Sequence, residues 1–171
     1  DPTSATALEI DIPQGGISYI IGNVIYKGES AITPIFIAQA EEGLQNPGNQ
    51  LYIINNTFSN LMVKEMPVLV KAVANPSLTF IDNAILGLTA GKTIETDAAQ
   101  HIESGNRNAV ASDFVNPADY NFKLTSRASE IGAAVPQGSV NGQSLVPDRQ
   151  YDYDSTSIIR KSAGDVGAFS R

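Results

Sequence analysis

Cysteine and tryptophan are absent from the chain, and histidine occurs once. Without cysteine there is no disulfide, no thiol nucleophile and no zinc–thiolate site. With His101 alone, metal sites built from several histidines fall away as well. Positive charge is scarce: 11 Lys and Arg stand against 18 Asp and Glu, for a net charge of −7. A chain with that balance and no basic run has no electrostatic footprint for nucleic acid, and no general attraction to anionic lipid. The longest apolar runs, at 17–25 and 67–73, are far too short to span a membrane. A Gly-rich phosphate loop, a nucleophile elbow and a zinc-protease motif are all missing. The opening Asp1-Pro2-Thr3-Ser4 reads as a processed or cut N-terminus.

What is present is enough apolar material for a core: 42% of the 171 residues are hydrophobic and 17% charged. Helical periodicity is hard to find. Short β-prone runs, at 7–12, 18–21, 24–26, 34–38, 51–54, 68–73, 78–81 and 84–86, alternate with Gly, Asn, Pro and Ser. Such an inventory allows a sandwich, a barrel or a solenoid. An internal repeat favours the last. Ile21-Gly22-Asn23-Val24-Ile25, Ile54-Asn55-Asn56-Thr57-Phe58 and Ile81-Asp82-Asn83-Ala84-Ile85 share the form Ile-x-Asn-x-[Ile/Phe], their asparagines 33 and 27 residues apart. A chain that returns to one place at that interval stacks parallel strands along an axis, each coil burying its neighbour's face. Asparagine suits the bend, since it tolerates left-handed backbone and its amide can bond nearby main chain. Asn23, Asn56 and Asn83 are therefore expected to stack as a structural ladder.

The stretches Tyr19-Ile20-Ile21-Gly22-Asn23-Val24-Ile25 and Leu51-Tyr52-Ile53-Ile54-Asn55-Asn56-Thr57-Phe58 resemble coils of the right-handed parallel β-helix proteins of the pectate-lyase-like superfamily. The passage Asp113-Phe114-Val115-Asn116-Pro117, then Phe122-Lys123-Leu124 and Ser126-Arg127-Ala128-Ser129-Glu130-Ile131-Gly132, resembles the closing segment of such bacterial proteins. The ending Asp165-Val166-Gly167-Ala168-Phe169 resembles their terminal motif. The resemblance implies an all-β parallel β-helix with only its C-terminal coils, over residues 1–137. An extended segment, 138–171, would pack on its flank or end. It also implies a fragment, or one piece of a larger assembly. The missing N-terminal coils, or self-association through the uncapped first coil, would then complete it.

Polysaccharide lyases of this family use a Lys or Arg base, often beside an acid-lined calcium site. The resemblance makes Lys64, Lys71 and Arg107 candidates, with Lys27 and Lys92 also on or near the coils. A catalytic lysine needs burial or a cationic neighbour to lower its pKa; a solvated surface position is the ordinary alternative for each. His101-Ile102-Glu103 with Arg107 is the one compact cluster mixing imidazole, acid and guanidinium, and could pair a general acid/base with an anion-binding group. A turn histidine bonded to backbone is the plainer reading. Asp148, Asp152 and Asp154 are spaced as a loose calcium loop, although the EF-hand glycine and closing glutamate are missing; exposed, solvated acids are the alternative. Tyr19, Tyr26, Tyr52, Tyr120, Tyr151 and Tyr153 are the rings on which a sugar could stack; Tyr19 and Tyr52, at equivalent repeat positions, could stack on each other, inside or out, and a structural ladder is their default reading. Asn55-Asn56-Thr57 is also a glycosylation sequon in a eukaryotic secretory setting. The expectation is an extracellular or cell-surface bacterial protein that binds or degrades polysaccharide. The alternative is a non-catalytic adhesive or filament-forming β-helix.

Overall fold

The structure, a computed structural model, describes residues 5–62, 68–88, 93–151 and 157–171. The first circuit of the chain comprises β1 (Ile10–Ile12), β2 (Gly16–Ile21) and β3 (Val24–Lys27). The second comprises β4 (Ile35–Gln39), β5 (Asn49–Ile54) and β6 (Thr57–Asn60). The third is β7 (Val68–Ala72), β8 (Ser77–Ile81) and β9 (Ala84–Leu86), and the fourth β10 (Ile94–Thr96), β11 (Gln100–Ser104) and β12 (Arg107–Ala109). Each strand pairs in parallel with the strand three places on, which gives three four-stranded sheets: β1-β4-β7-β10, β2-β5-β8-β11 and β3-β6-β9-β12. The protein is thus all-β, with stacked parallel sheets. No helix among the described residues is long and apolar enough to cross a membrane.

Strand alternation explains the packing. Successive side chains point to opposite faces, and the register aligns Ile20, Ile53 and Phe80 on one side of their sheet. Tyr19, Tyr52 and Thr79 line up on the other. The first set joins Ile25, Phe58 and Ile85 of the third sheet and Ile37, Val70 and Ile94 of the first in a shared interior. Phe58 sits at its centre, 5.7 Å from the Phe36 ring and 5.9 Å from Phe80.

The bend between the second and third sheets is built the same way four times. Gly22, Asn55, Asp82 and Gly105 take positive φ of 72°, 52°, 54° and 66°. The left-handed residue is therefore the one before each ladder asparagine, not the asparagine itself; Gly, Asn and Asp are the types that adopt it most cheaply. The asparagines then bond down the stack. Backbone N–H and side-chain amide of Asn23 donate to Asn56 Oδ1 at 2.9 and 3.2 Å. Asn56 repeats this on Asn83 at 2.9 and 3.1 Å, and Asn83 on Asn106 at 2.9 and 3.0 Å. Each lower amide also donates back, Asn56 to Ile20 O at 2.8 Å and Asn83 to Ile53 O at 3.0 Å. Asn106 is a fourth member that the Ile-x-Asn pattern does not find, because Ser104 stands where the isoleucine would be.

After β12 the chain leaves the stack. Strands β13 (Phe114–Asn116) and β14 (Asn121–Leu124) form an antiparallel pair, followed by hairpins of β15 (Ser139–Val140) with β16 (Gln143–Ser144) and β17 (Arg149–Tyr151) with β18 (Ser157–Ile159). Phe114, Phe122, Leu124 and Ala128 cluster with Val166, Ala168 and Phe169 against Ala84 and Ala109 of the third sheet. The closing motif earns its spelling here. Asp165 accepts the N–H groups of Gly132 and Arg171 at 2.9 and 3.0 Å. Gly167, at φ 89°, lies so close to the stack that a Cβ would stand 2.9 Å from both Ala84 Cβ and Thr57 Oγ1. Ala168 N–H then donates to Thr57 Oγ1 at 3.0 Å.

Candidate functional site

The outward face of the third sheet carries the most promising groove. Register places Tyr26, Ser59 and Leu86 side by side on β3, β6 and β9. Residues 111–120 return over this face through two 3-10 turns, Ala111–Asp113 and Pro117–Asp119. Asp113 fixes the first by accepting Val110 N–H at 2.8 Å. Tyr120 follows the second in left-handed backbone, φ 60° and ψ 15°. That conformation costs an ordinary side chain about 1–2 kcal/mol, and strain of this kind tends to gather at functional positions. It stands Tyr120 over Tyr26, the ring centroids 4.9 Å apart and the planes at 69°. Beside this ring pair opens a groove of about 380 Å³, walled by Leu61, Leu86, Ala111, Pro117 and Ala118, with Ser59 and Asn60 supplying polar groups. Gly87 closes one wall: a Cβ there would meet the Asn60 carbonyl oxygen at 2.2 Å.

Burial pushes the Tyr26 phenol up to about 12, helped by its hydrogen bond to Tyr120 and by the Glu29 charge. Tyr26 therefore remains a hydroxyl, able to donate or accept, across the physiological range. No family model, curated protein or solved structure matches this chain. What the groove can do rests on its own chemistry. Two aromatic rings, an aliphatic wall and neutral polar groups suit a ligand with apolar faces and hydroxyl edges. Among the described residues, no acid, lysine, arginine or histidine lines the groove.

The sequence candidates for catalysis lie elsewhere. Lys71 is on the outward face of the first sheet, between Ala38 and Glu95 in register, and makes an ion pair with Glu41. Its hydrogen bond to Glu41 raises its pKa, the reverse of what a lysine base requires. His101 and Glu103 do meet, Nε2 to Oε1 at 3.1 Å, at the exposed end of the stack. Arg107 is on β12, and its charge bears on the buried Asp82 and Glu130 instead. Lys64 and Lys92 fall outside the described residues, as do Asp152 and Asp154 of the proposed calcium loop. Asp148 is exposed, and no group of three or more candidate metal ligands exists among the described residues.

One placement differs from what the sequence suggests. Lys27 is not a solvated lysine: it is wholly buried, 3.0 Å from Glu9 Oε1 and 3.2 Å from Ala7 O, with Phe36 beneath it at 5.3 Å. Tyr19 and Tyr52 do stack outside their sheet, centroids 5.0 Å apart and planes within 9°, but Val140 and Leu145 cover them. Their faces are packing surface, and Tyr19 Oη is held by the Asn141 amide at 3.1 Å. The side chain of Tyr151 and all of Tyr153 lie outside what the structure describes.

A buried polar layer lies where the C-terminal segment meets the ladder. Asp82 accepts Val135 N–H at 3.0 Å and bonds the Gln137 amide, which also reaches Asn55 Oδ1 at 2.6 Å. Arg160, lowered by burial to about 10 and so still charged at neutral pH, donates to the carbonyls of Asp165, Gly167 and Ser162 at 2.6, 3.0 and 2.9 Å. Glu130 is fully buried, and neither carboxyl oxygen makes a well-formed hydrogen bond, although Ser129 lies close. Burial raises the Glu130 pKa first and the Asp113 charge adds to it; burial likewise raises Asp82.

An acid whose pKa is higher folded than unfolded binds its proton more tightly in the folded state. Stability then falls as pH climbs from the unfolded pKa, about 4, through the folded one. The urea midpoint should accordingly be higher near pH 5 than near pH 7.5, and Glu130→Gln should flatten that slope. An unchanged slope in the variant would remove Glu130 from this account.

Proposed function

We propose that this chain is a right-handed parallel β-helix of the pectate-lyase-like kind, and that it binds neutral polysaccharide in the groove lined by Tyr26 and Tyr120. Support for the fold comes from three parallel sheets visited in rotation and from the asparagine row at one bend. Support for the ligand rests on one observation: an aromatic-walled groove of about 380 Å³ with hydroxyl and amide groups and no charged side chain among its described lining residues. Pyranose rings offer CH faces to aromatics and hydroxyls to polar side chains, and such sites are mostly apolar with a few placed polar groups. Among the described residues the lining holds no cation, which argues against a uronate chain, and so does the net charge of −7. The described residues of the lining offer no lysine or arginine base for elimination and no carboxylate pair for hydrolysis. Binding without cleavage is the better reading. A glycan ligand fits a site outside the cell or on its surface.

Titration calorimetry with soluble xylan, glucan, mannan and polygalacturonate tests this. At least one neutral polymer should bind, and Tyr120→Ala should weaken it about tenfold or more, the loss of one stacking ring. Tyr120 is exposed, so this variant should fold normally. Equal binding by the variant, or binding of polygalacturonate alone, would sink the proposal.

A further inference from the structure

The fourth circuit leaves a sheet edge open, and the order of residues along it suits a second copy of itself. Strand β11 pairs with β8 on one side only, and no described strand pairs with its other side. All five of its residues, Gln100-His101-Ile102-Glu103-Ser104, are exposed, Ile102 at 56%. His101 and Glu103 continue the inward rows of Leu78 and Phe80. The apolar interior therefore ends on an imidazole and a carboxylate, side by side at 3.1 Å.

Edges are usually protected by proline, by inward-pointing charged residues or by a covering segment. This one has no proline and no covering segment among the described residues, and the ionisable groups it turns inward, His101 and Glu103, are an imidazole and an acid, not two groups of like charge. Read backwards, it is its own complement. An antiparallel pair about a twofold axis through Ile102 sets His101 opposite the partner's Glu103, and Glu103 opposite the partner's His101. Ile102 faces the partner's Ile102, and Gln100 faces the partner's Ser104. A carboxylate directly across an antiparallel pair from an imidazole can hydrogen-bond it, and ion-pair with it when it is protonated, whereas like charges there are unfavourable. A twofold perpendicular to the sheet keeps inward rows inward in both copies. It also brings β10, carrying Glu95, against the partner's β12, carrying Arg107.

We infer that the protein forms a closed, twofold dimer in which β11 pairs antiparallel with β11 of a second copy, making one eight-stranded sheet across the two chains. A closed isologous contact stops at two, whereas head-to-tail stacking of circuits would grow without limit. The inference is independent of the glycan groove, which lies on a different sheet.

Sedimentation velocity over roughly 1–500 μM reads the outcome directly. The mass should rise from one chain to two and stop. His101→Glu sets carboxylate against carboxylate across the axis and should weaken association at least about tenfold. Adding Glu103→His to it restores an opposite pair and should recover the dimer. Ile102→Lys should abolish it. Because β11 is exposed, the urea midpoint of each monomer should stay near that of the parent, which separates lost pairing from lost folding. A chain that stays single throughout, a dimer indifferent to His101→Glu, a double variant that fails to recover, or masses growing past two would each overturn the inference.

Discussion

Asn56→Leu should lose about 2–5 kcal/mol of stability, while Asn23→Leu should lose less than about 1 kcal/mol. Both asparagines open the same kind of bend, and leucine matches asparagine roughly in size, so the comparison reads hydrogen bonds rather than volume. Asn56 is fully buried. Its Oδ1 takes two donors from Asn23, and its amide donates to Ile20 O at 2.8 Å and to Asn83 Oδ1 at 3.1 Å. Leucine takes the amide donor from the Ile20 carbonyl and from Asn83 Oδ1, both buried contacts, and each buried polar group left unpaired costs about 1–3 kcal/mol. Asn23 is exposed at the end of the row, and water can replace most of what it loses. Urea unfolding of the two variants side by side gives the answer. Equal losses would mean that the asparagines matter only as bend formers and that their row adds nothing.

The second large effect is expected at Lys27. Lys27→Met keeps the length of the stem and its contact with Phe36, but strips Glu9 of its ion-pair partner and Ala7 O of a donor. Removing one partner of a buried ion pair costs about 3–5 kcal/mol, because the other is left uncompensated. Glu9 keeps 16% of its side-chain exposure, so the lower end of that range, about 3 kcal/mol, is the expectation. Lys27→Met with Glu9→Gln removes both charges and should recover more than half of it. Hydrogen exchange at Ile32, which donates to Thr6 O at 2.9 Å, and at Glu9, which donates to Phe36 O at 2.9 Å, reports whether the N-terminal stretch detaches. A double variant no better than the single one would show that Lys27 acts through packing, not charge.

What the sequence made legible depended on how local the signal was. Alternation in Tyr19-Ile20-Ile21 and Leu51-Tyr52-Ile53-Ile54 marks strands because period two is visible within one strand. The spacing of Asn23, Asn56 and Asn83 carries the stack. Asn106 escaped because the pattern was anchored on isoleucine, although Gly105-Asn106 repeats Gly22-Asn23; a left-handed residue followed by asparagine was the better signature. The burial of Lys27 had no local sign, since a strand-end lysine next to Gly28 looks solvated until residues 7–9 fold across it. The groove was invisible for the same reason. Tyr26 and Tyr120 are 94 positions apart, and only the turn at Pro117–Asp119 brings one ring over the other. Val140 and Leu145, set among polar loop residues, gave no hint that they would cover Tyr19 and Tyr52.

The C-terminal segment changes the cooperativity of the whole molecule. Parallel circuits touching only their neighbours melt and form piecemeal, like beads added one at a time. Here Val140 and Asn141 hold Tyr19 in the first circuit, Ala168 holds Thr57 in the second, and Val135 and Gly167 hold Asp82 in the third. Contacts spanning 53 to 122 positions give the chain a high contact order, so folding should be slow. Its early circuits must wait on the ribosome for their last fastener, and once it is in place they unfold together or not at all.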